Sequence, residues 1–310
     1  MSKTISIIVP VYNEEKNIPL IGAELSKLFL TLSYNYEIIF VNDGSTDLSQ
    51  GAIDSLTKKD PKIKSIEFSR NFGKEMATTA GLNHAKGDCA IIIDADLQHP
   101  VEIIPQFIAD WEKGYEVVVG IRKSSQSDTL VKVWGSKLFY KIMSRISEID
   151  IMPNSTDFCL MDRKVIDAFN KCTEKTRITR GLIAWLGFKK SLVEFEANRR
   201  VHGKASYNTF KLVKLALSSF VAMSLFPLKI AGYLGIFITF VSGILGIFIF
   251  IEKVIFADPL HFTWLGFMIV GIIFLVGIIL SCLGLIALYI GNIHNEVSNR
   301  PMYVVRNKNI

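Results

Sequence analysis

The chain has 310 residues, half of them hydrophobic, and 35 basic against 29 acidic side chains give a net charge of +6. That apolar and aromatic content excludes intrinsic disorder, and four scattered cysteines with no Cys-x-x-Cys pair exclude a disulfide scaffold or a thiolate metal site. The apolar excess behind a mean hydropathy of +0.34 is uneven: it lies after residue 228, while the first two hundred residues read as an ordinary soluble domain.

In chain order, Ile5–Val11 is a β-branched run that stops at Asn13-Glu14-Glu15. It is too short for a secretory h-region, so the N-terminal domain is expected in the cytosol. Tyr36–Val41 reads as a second strand, closed by Asn42-Asp43-Gly44-Ser45-Thr46-Asp47. Ile63–Phe68 is a third, Cys89–Ile93 a fourth that ends in Asp94-Ala95-Asp96, and Glu116–Gly120 a fifth. Helical patterns fill the gaps, as at Glu75–Ala85 and Val101–Trp111. Near-continuous apolar strands alternating with helices predict a mostly parallel α/β sheet covered on both faces.

Thr129–Ile149 repeats Leu130, Trp134, Leu138, Ile142 and Ile146 at helical spacing, with Lys132, Lys137, Lys141 and Arg145 and no acid between. This is either a basic amphipathic helix of the interfacial type or a helix packed on the soluble core. Tyr207–Phe226 reads as a juxtamembrane helix, ended by Pro227. Two uncharged runs, 230–251 and 264–291, each reach the roughly 20 apolar residues that a membrane span needs. Basic flanks on both sides predict a cytosolic N-terminal domain and cytosolic termini, with the loop 252–263 outside. The expected organisation is therefore a cytosolic domain over 1–206, a juxtamembrane helix over 207–229, two C-terminal transmembrane helices, and a cytosolic tail over 292–310. The expected location is integral to the cytoplasmic (inner) membrane.

The polar clusters fall just past the strand C-termini, where open α/β sheets bind ligands. No G-x-G-x-x-G follows the first strand and no G-x-x-x-x-G-K-[ST] occurs, which disfavours nicotinamide and P-loop chemistry. Asp94 and Asp96, one residue apart, form either an acidic concavity for a hard divalent cation or a polar turn entering the helix near Pro100. Gln98 could add a neutral oxygen to such an ion. His99 reads as a helix-entry residue. Asp43 sits where a ribose or base could be held, whereas Ser45–Asp47 reads as a cap and turn.

Val9-Pro-Val-Tyr-Asn-Glu14, Val41-Asn-Asp-Gly-Ser-Thr-Asp47, Ser69-Arg-Asn-Phe-Gly-Lys74 and Asp94-Ala-Asp-Leu-Gln-His-Pro100 occur in that order and spacing. As a set they resemble the inverting family 2 glycosyltransferases of GT-A fold. The segment Asp94–Pro100 is most similar to the polyprenyl-phosphate branch, which includes dolichol-phosphate mannose synthases and bacterial polyprenyl-phosphate glucosyltransferases. The resemblance implies that Pro10, Tyr12, Glu14, Asp43 and Asp94 bind the nucleotide sugar. It implies that Asp94, Asp96 and Gln98 hold Mg²⁺ or Mn²⁺ at the diphosphate, and that Asp157 is the catalytic carboxylate beside the acceptor. Arg122, Arg199, Arg200 and Lys204 are the implied acceptor-phosphate cations, the duplicated arginine leaving open which of Arg199 and Arg200 carries the role. The implied reaction moves a hexose from a nucleotide sugar, UDP-glucose first, to the phosphate of undecaprenyl phosphate at a membrane. GDP-mannose with dolichyl phosphate, and a non-catalytic membrane scaffold, are the alternatives. A homotetramer is implied by the relatives, and no nucleic-acid partner is expected.

Overall fold

In the computed structural model of the chain, the described residues are 3–123, 155–175, 177–198, 244, 251, 264–298 and 300–310. They fall in two compact units, one made of residues 1–208 with 300–310 and the other of residues 209–299.

The first unit is built on an eight-stranded sheet. Its strands are β1 (Thr4–Val11), β2 (Asn35–Asn42), β3 (Ile63–Phe68), β4 (Cys89–Ile92), β5 (Val117–Arg122), β6 (Ser155–Asp162), β7 (Lys190–Phe195) and β8 (Val305–Asn309), in the order β7-β5-β6-β4-β1-β2-β3-β8. β1 to β4 are mutually parallel, and β5 is parallel to β7. β6 runs antiparallel to both β4 and β5. The helices are α1 (Ile18–Thr31), α2 (Ser49–Thr57), α3 (Lys74–His84), α4 (Ile104–Glu112, entered by a 3₁₀ turn at Val101–Ile103), α5 (Arg163–Lys171) and α6 (Thr179–Trp185).

The apolar strands bury both faces, as parallel strands under helices must. Ile5, Ile7 and Val9 of β1 join Ile21, Leu25, Phe107 and Phe158 on one side; Ile8 joins Ile39, Ala77, Ala80 and Met161 on the other. Period-two alternation along β1 therefore feeds two cores. Where α3 crosses β1, Gly81 lets the backbones close up, because a Cβ there would lie 2.2 Å from Ile8 Cγ2. Asp162 ends β6 and caps α5, accepting the Lys164 N–H at 3.1 Å.

The sequence reading assigned no strand to the tail. β8 pairs antiparallel with β3, and Tyr303 stacks on Phe68 with ring centroids 4.9 Å apart. The unit thus closes one sheet edge with its own C-terminus.

The second unit contains α7 (Trp264–Val297). The expected location integral to the cytoplasmic membrane is corrected here: among the described residues no helix is long and apolar enough to cross a membrane. A crossing needs about 20 consecutive apolar residues in one helix. Of the run 230–251, only Ile244 and Ile251 are among the described residues. The helices expected at 129–149 and 207–226 lie outside the described residues.

Candidate active site

Because β1 to β4 are parallel, the loops that follow them emerge at one edge of the sheet. Those loops are the four quoted motifs. β6 is antiparallel, so its beginning, not its end, reaches the same edge. Cys159 pairs with Ile92, which sets Asp157 just beyond the end of β4 and beside Asp94. β5 ends there too, in register with Ser155, and places Arg122 on this edge as an exposed side chain.

The loops after β1 and β2 are sewn together. Asn13, at a left-handed φ of 56°, donates its N–H to Ser45 Oγ at 2.9 Å and accepts the Thr46 N–H at 2.8 Å. Glu14 donates its N–H to Ser49 Oγ at 2.9 Å, and its carboxylate accepts from Asn17 Nδ2 at 2.5 Å. Asp47 accepts the Ser49 N–H at 3.0 Å at the entry to α2. Pro10 is buried in β1 opposite Val41, whereas Tyr12 is 44% exposed at the rim.

Asp43 is almost wholly buried and ties in the third loop. Its two carboxylate oxygens accept the N–H groups of Phe72 at 2.6 Å and Gly73 at 2.9 Å. Burial pushes its carboxyl upward against the pull of those two bonds and of Arg70. Gly44 makes the close turn possible. It has φ +63°, and a Cβ there would lie 2.3 Å from the Arg70 carbonyl carbon.

At the centre stands Lys74, the first residue of α3. Its Nζ lies 2.6 Å from Asp94 Oδ1 and 2.9 Å from Asp157 Oδ2. Desolvation works to lower this ammonium's pKa, but the charges of Asp94 and Asp157 prevail and hold it well above the ordinary lysine value. Asp96 is buried, and its Oδ1 accepts the Gln98 N–H at 3.1 Å. Leu97, at φ 61°, makes the tight turn between them. His99 stacks on Phe158 with centroids 4.9 Å apart, and burial lowers its pKa. The neutral ring accepts the Asp94 N–H on Nδ1 at 3.3 Å.

Glu75, next along α3, fixes the start of α6. Its Oε2 accepts the Thr179 N–H at 2.9 Å and the Thr179 hydroxyl. Burial first, and then the Asp157 charge, raise the Glu75 carboxyl above its ordinary value.

Of the residues expected at the site, the structure brings Asp43, Asp94, Asp96, Gln98, Asp157, Tyr12, Glu14 and Arg122 to one edge. Arg199, Arg200 and Lys204 lie outside the described residues. The sequence reading gave no role to Lys74, Glu75 or Thr179. Lys74 and Glu75 sit at the end of the quoted Ser69–Lys74 motif and directly after it, which was the available signal.

Among the described residues no three His, Cys, Asp or Glu side chains gather as a metal-holding group. The donor set fits a cation in a more limited way. Asp94 and Asp96 offer hard oxygens, and the Lys74 ammonium against Asp94 shows that this edge accommodates positive charge. Mg²⁺ and Mn²⁺ sites often use one or two carboxylates, with substrate phosphates supplying the rest.

Residues 6–169 match the family model described as Glycosyl transferase family 2. The uncharacterized glycosyltransferase YkcC of Bacillus subtilis (strain 168) is 40% identical over 301 residues, 97% of this chain and 93% of its own. The SfII prophage-derived bactoprenol glucosyl transferase of Shigella flexneri is 37% identical over 304 residues, 97% of each chain. A solved structure of glucosyl-3-phosphoglycerate synthase from Mycobacterium tuberculosis, in complex with Mn²⁺, uridine diphosphate and glucosyl-3-phosphoglycerate, matches with a TM-score of 0.50 at 17% identity. That match covers 71% of this chain and 78% of that one, and is a likeness of fold. The α/β sheet is thus of the GT-A kind, and the chain is a glycosyltransferase belonging to glycosyl transferase family 2.

Proposed function

We propose that this chain transfers glucose from UDP-glucose to the phosphate of a polyprenyl phosphate, with inversion at the anomeric carbon. The observation that carries the reading is the pairing of Asp94, at the end of β4, with Asp157, at the start of β6, across one ammonium. A donor-side carboxylate and an acceptor-side carboxylate thereby share one edge. The relatives named bactoprenol glucosyl transferases support glucose and a polyprenyl acceptor.

In this reading Tyr12, Glu14 and Asp43 line the nucleotide end, Asp43 acting by holding the 69–73 loop in place. Asp94 and Asp96, with Gln98, would hold a divalent ion at the donor diphosphate; bound there, it supplies Lewis-acid stabilisation of the departing phosphates. Asp157 faces the acceptor. A phosphate oxygen is already anionic near neutral pH, so Asp157 orients it or takes a residual proton. Lys74 keeps Asp94 and Asp157 from repelling each other before substrates arrive. Arg122 adds counter-charge at the same edge, with Arg199, Arg200 and Lys204 proposed for the acceptor phosphate.

A donor panel in detergent with undecaprenyl phosphate tests this. Radiolabel is expected in the lipid phase from UDP-glucose and to be lost in Asp96→Ala. Label from GDP-mannose alone would replace the donor assignment. Label from no donor would overturn the polyprenyl-phosphate acceptor.

A further inference from the structure

A cavity of about 180 Å³ opens beside Asp157, between α6 and the face of β5 and β6. Its floor is Val119 of β5 and Cys159 of β6; Ile183 and Ala184 of α6 and Phe188 form its wall. Asp157 and Arg180 both line it. The start of α6 is tied to the reacting edge, because Thr179 is bonded to Glu75 and Glu75 follows Lys74, which is paired with Asp157; Arg180 is the next residue of α6. Val117 pairs with Met161, four residues along β6 from Asp157, so the cavity runs about 13 Å along the strands to its far end. Ser155, Thr156 and Thr179 join Asp157 in its lining; the rest is mainly apolar, with Lys190 at the far end beside Val117.

Arg180 is exposed at this mouth and makes no ion pair among the described residues. A cation lining the same cavity as the carboxylate that faces the acceptor, next to the apolar walls of Val119, Ile183 and Phe188, complements a molecule with an anionic head and a hydrocarbon tail. A nucleoside diphosphate does not match, because its base and ribose are polar and its end of the sheet is the β1–β2 side.

We propose that this cavity is the acceptor subsite, with Arg180 binding the acceptor phosphate beside Asp157 and the first isoprene units lying against Val119, Ile183 and Phe188. The assignment rests on the polyprenyl-phosphate reading above and gives it a place. Arg180 is suited to the task because its planar fork can hold two phosphate oxygens at once.

The test is calorimetric binding of farnesyl phosphate, UDP and inorganic phosphate to the full chain, the Arg180→Gln and Arg180→Lys variants, and Ala184→Phe. Arg180 is exposed and Ala184 half-buried, so these variants should fold; a thermal melt checks it. Loss of the guanidinium in Arg180→Gln is expected to weaken farnesyl phosphate about ten- to hundredfold, with partial recovery in Arg180→Lys. Ala184→Phe is expected to weaken farnesyl phosphate about tenfold and to leave inorganic phosphate unchanged, since it narrows only the apolar wall. UDP affinity stays the same throughout. Unchanged farnesyl phosphate binding in Arg180→Gln and Ala184→Phe overturns the assignment, as does a loss of UDP affinity in Arg180→Gln equal to the loss for farnesyl phosphate. The two readings fail separately. Farnesyl phosphate binding that responds to both variants, with no glucose transfer from UDP-glucose, removes the donor and leaves the cavity. Transfer with binding that ignores both variants removes the cavity and leaves the donor.

Discussion

Replacing Lys74 with methionine keeps most of the side chain's length and removes its charge. In the structure that charge is shared between Asp94 at 2.6 Å and Asp157 at 2.9 Å. At an effective dielectric of about 20, each contact carries a gross attraction of about 6 kcal/mol. Desolvation and side-chain ordering offset most of it, and solvent screens the rest, because the lysine side chain is 41% exposed. The net loss expected from the two pairs is therefore about 1–2 kcal/mol, which for a domain of this size lowers Tm by about 2–8 °C. The informative measurement is differential scanning calorimetry of wild type and Lys74→Met, without and with Mn²⁺. Two carboxylates left facing each other gain more from a divalent cation, so Mn²⁺ should raise the variant's Tm further than the wild type's. Equal Tm values without metal, together with equal Mn²⁺ shifts, would refute the view that Lys74 neutralises this edge.

Glu75→Gln tests the neighbouring carboxylate by its pH dependence. A carboxyl raised in the folded state contributes stability below its ordinary pKa and loses it as pH rises through the raised value. The substituted amide oxygen can still accept the Thr179 N–H, so the variant should match or exceed wild-type Tm at pH 7, and the difference should close below about pH 4; a variant clearly less stable at pH 7 contradicts this. Gly44→Ala forces a left-handed residue against the Arg70 backbone and is expected to cost about 2–4 kcal/mol. Because the displaced loop is the one Asp43 holds, UDP affinity should fall with it, and retained affinity in a destabilised variant would separate loop from site. Tyr303→Ala removes the stacking on Phe68 and the acceptor for Asn83 Nδ2 at 3.0 Å. Urea denaturation should show a loss of about 2–3 kcal/mol if β8 belongs to the folded unit, and no change if the C-terminal strand only rests on the sheet.

Much of the first unit was legible because its strands are buried on both faces. Val-, Ile- and Phe-rich runs such as Tyr36–Val41 read as buried strands, and each ends abruptly in a polar loop. The parallel arrangement then puts those loops together without further information. What was not legible depends on antiparallel returns and long-range pairing. Asp157 was named through the family resemblance alone: it reaches this edge because β6 runs against β4, and no local pattern in Ser155–Asp162 announces that direction. β8 carries Arg306, Asn307, Lys308 and Asn309, four polar residues in succession, so its alternation is invisible until β3 is there to pair with it. Lys74 was hidden for another reason: at a helix start a lysine looks like surface charge, and only the fold brings both acids to it. The predicted membrane location came from hydropathy and flanking charge, which count residues along the chain. The described helices do not supply the crossing that it implied.

The central claim is that Asp94 and Asp96 define the donor end of one continuous edge and Asp157 the acceptor end. A crystal structure of the full chain with UDP and Mn²⁺, with manganese located by its anomalous scattering, tests it most directly. The account predicts a single strong peak bonded to Asp96 or Asp94 and to the UDP diphosphate, with Lys74 no longer bridging to Asp94. A diphosphate bound away from the end of β4, with Lys74 still between Asp94 and Asp157, would contradict it.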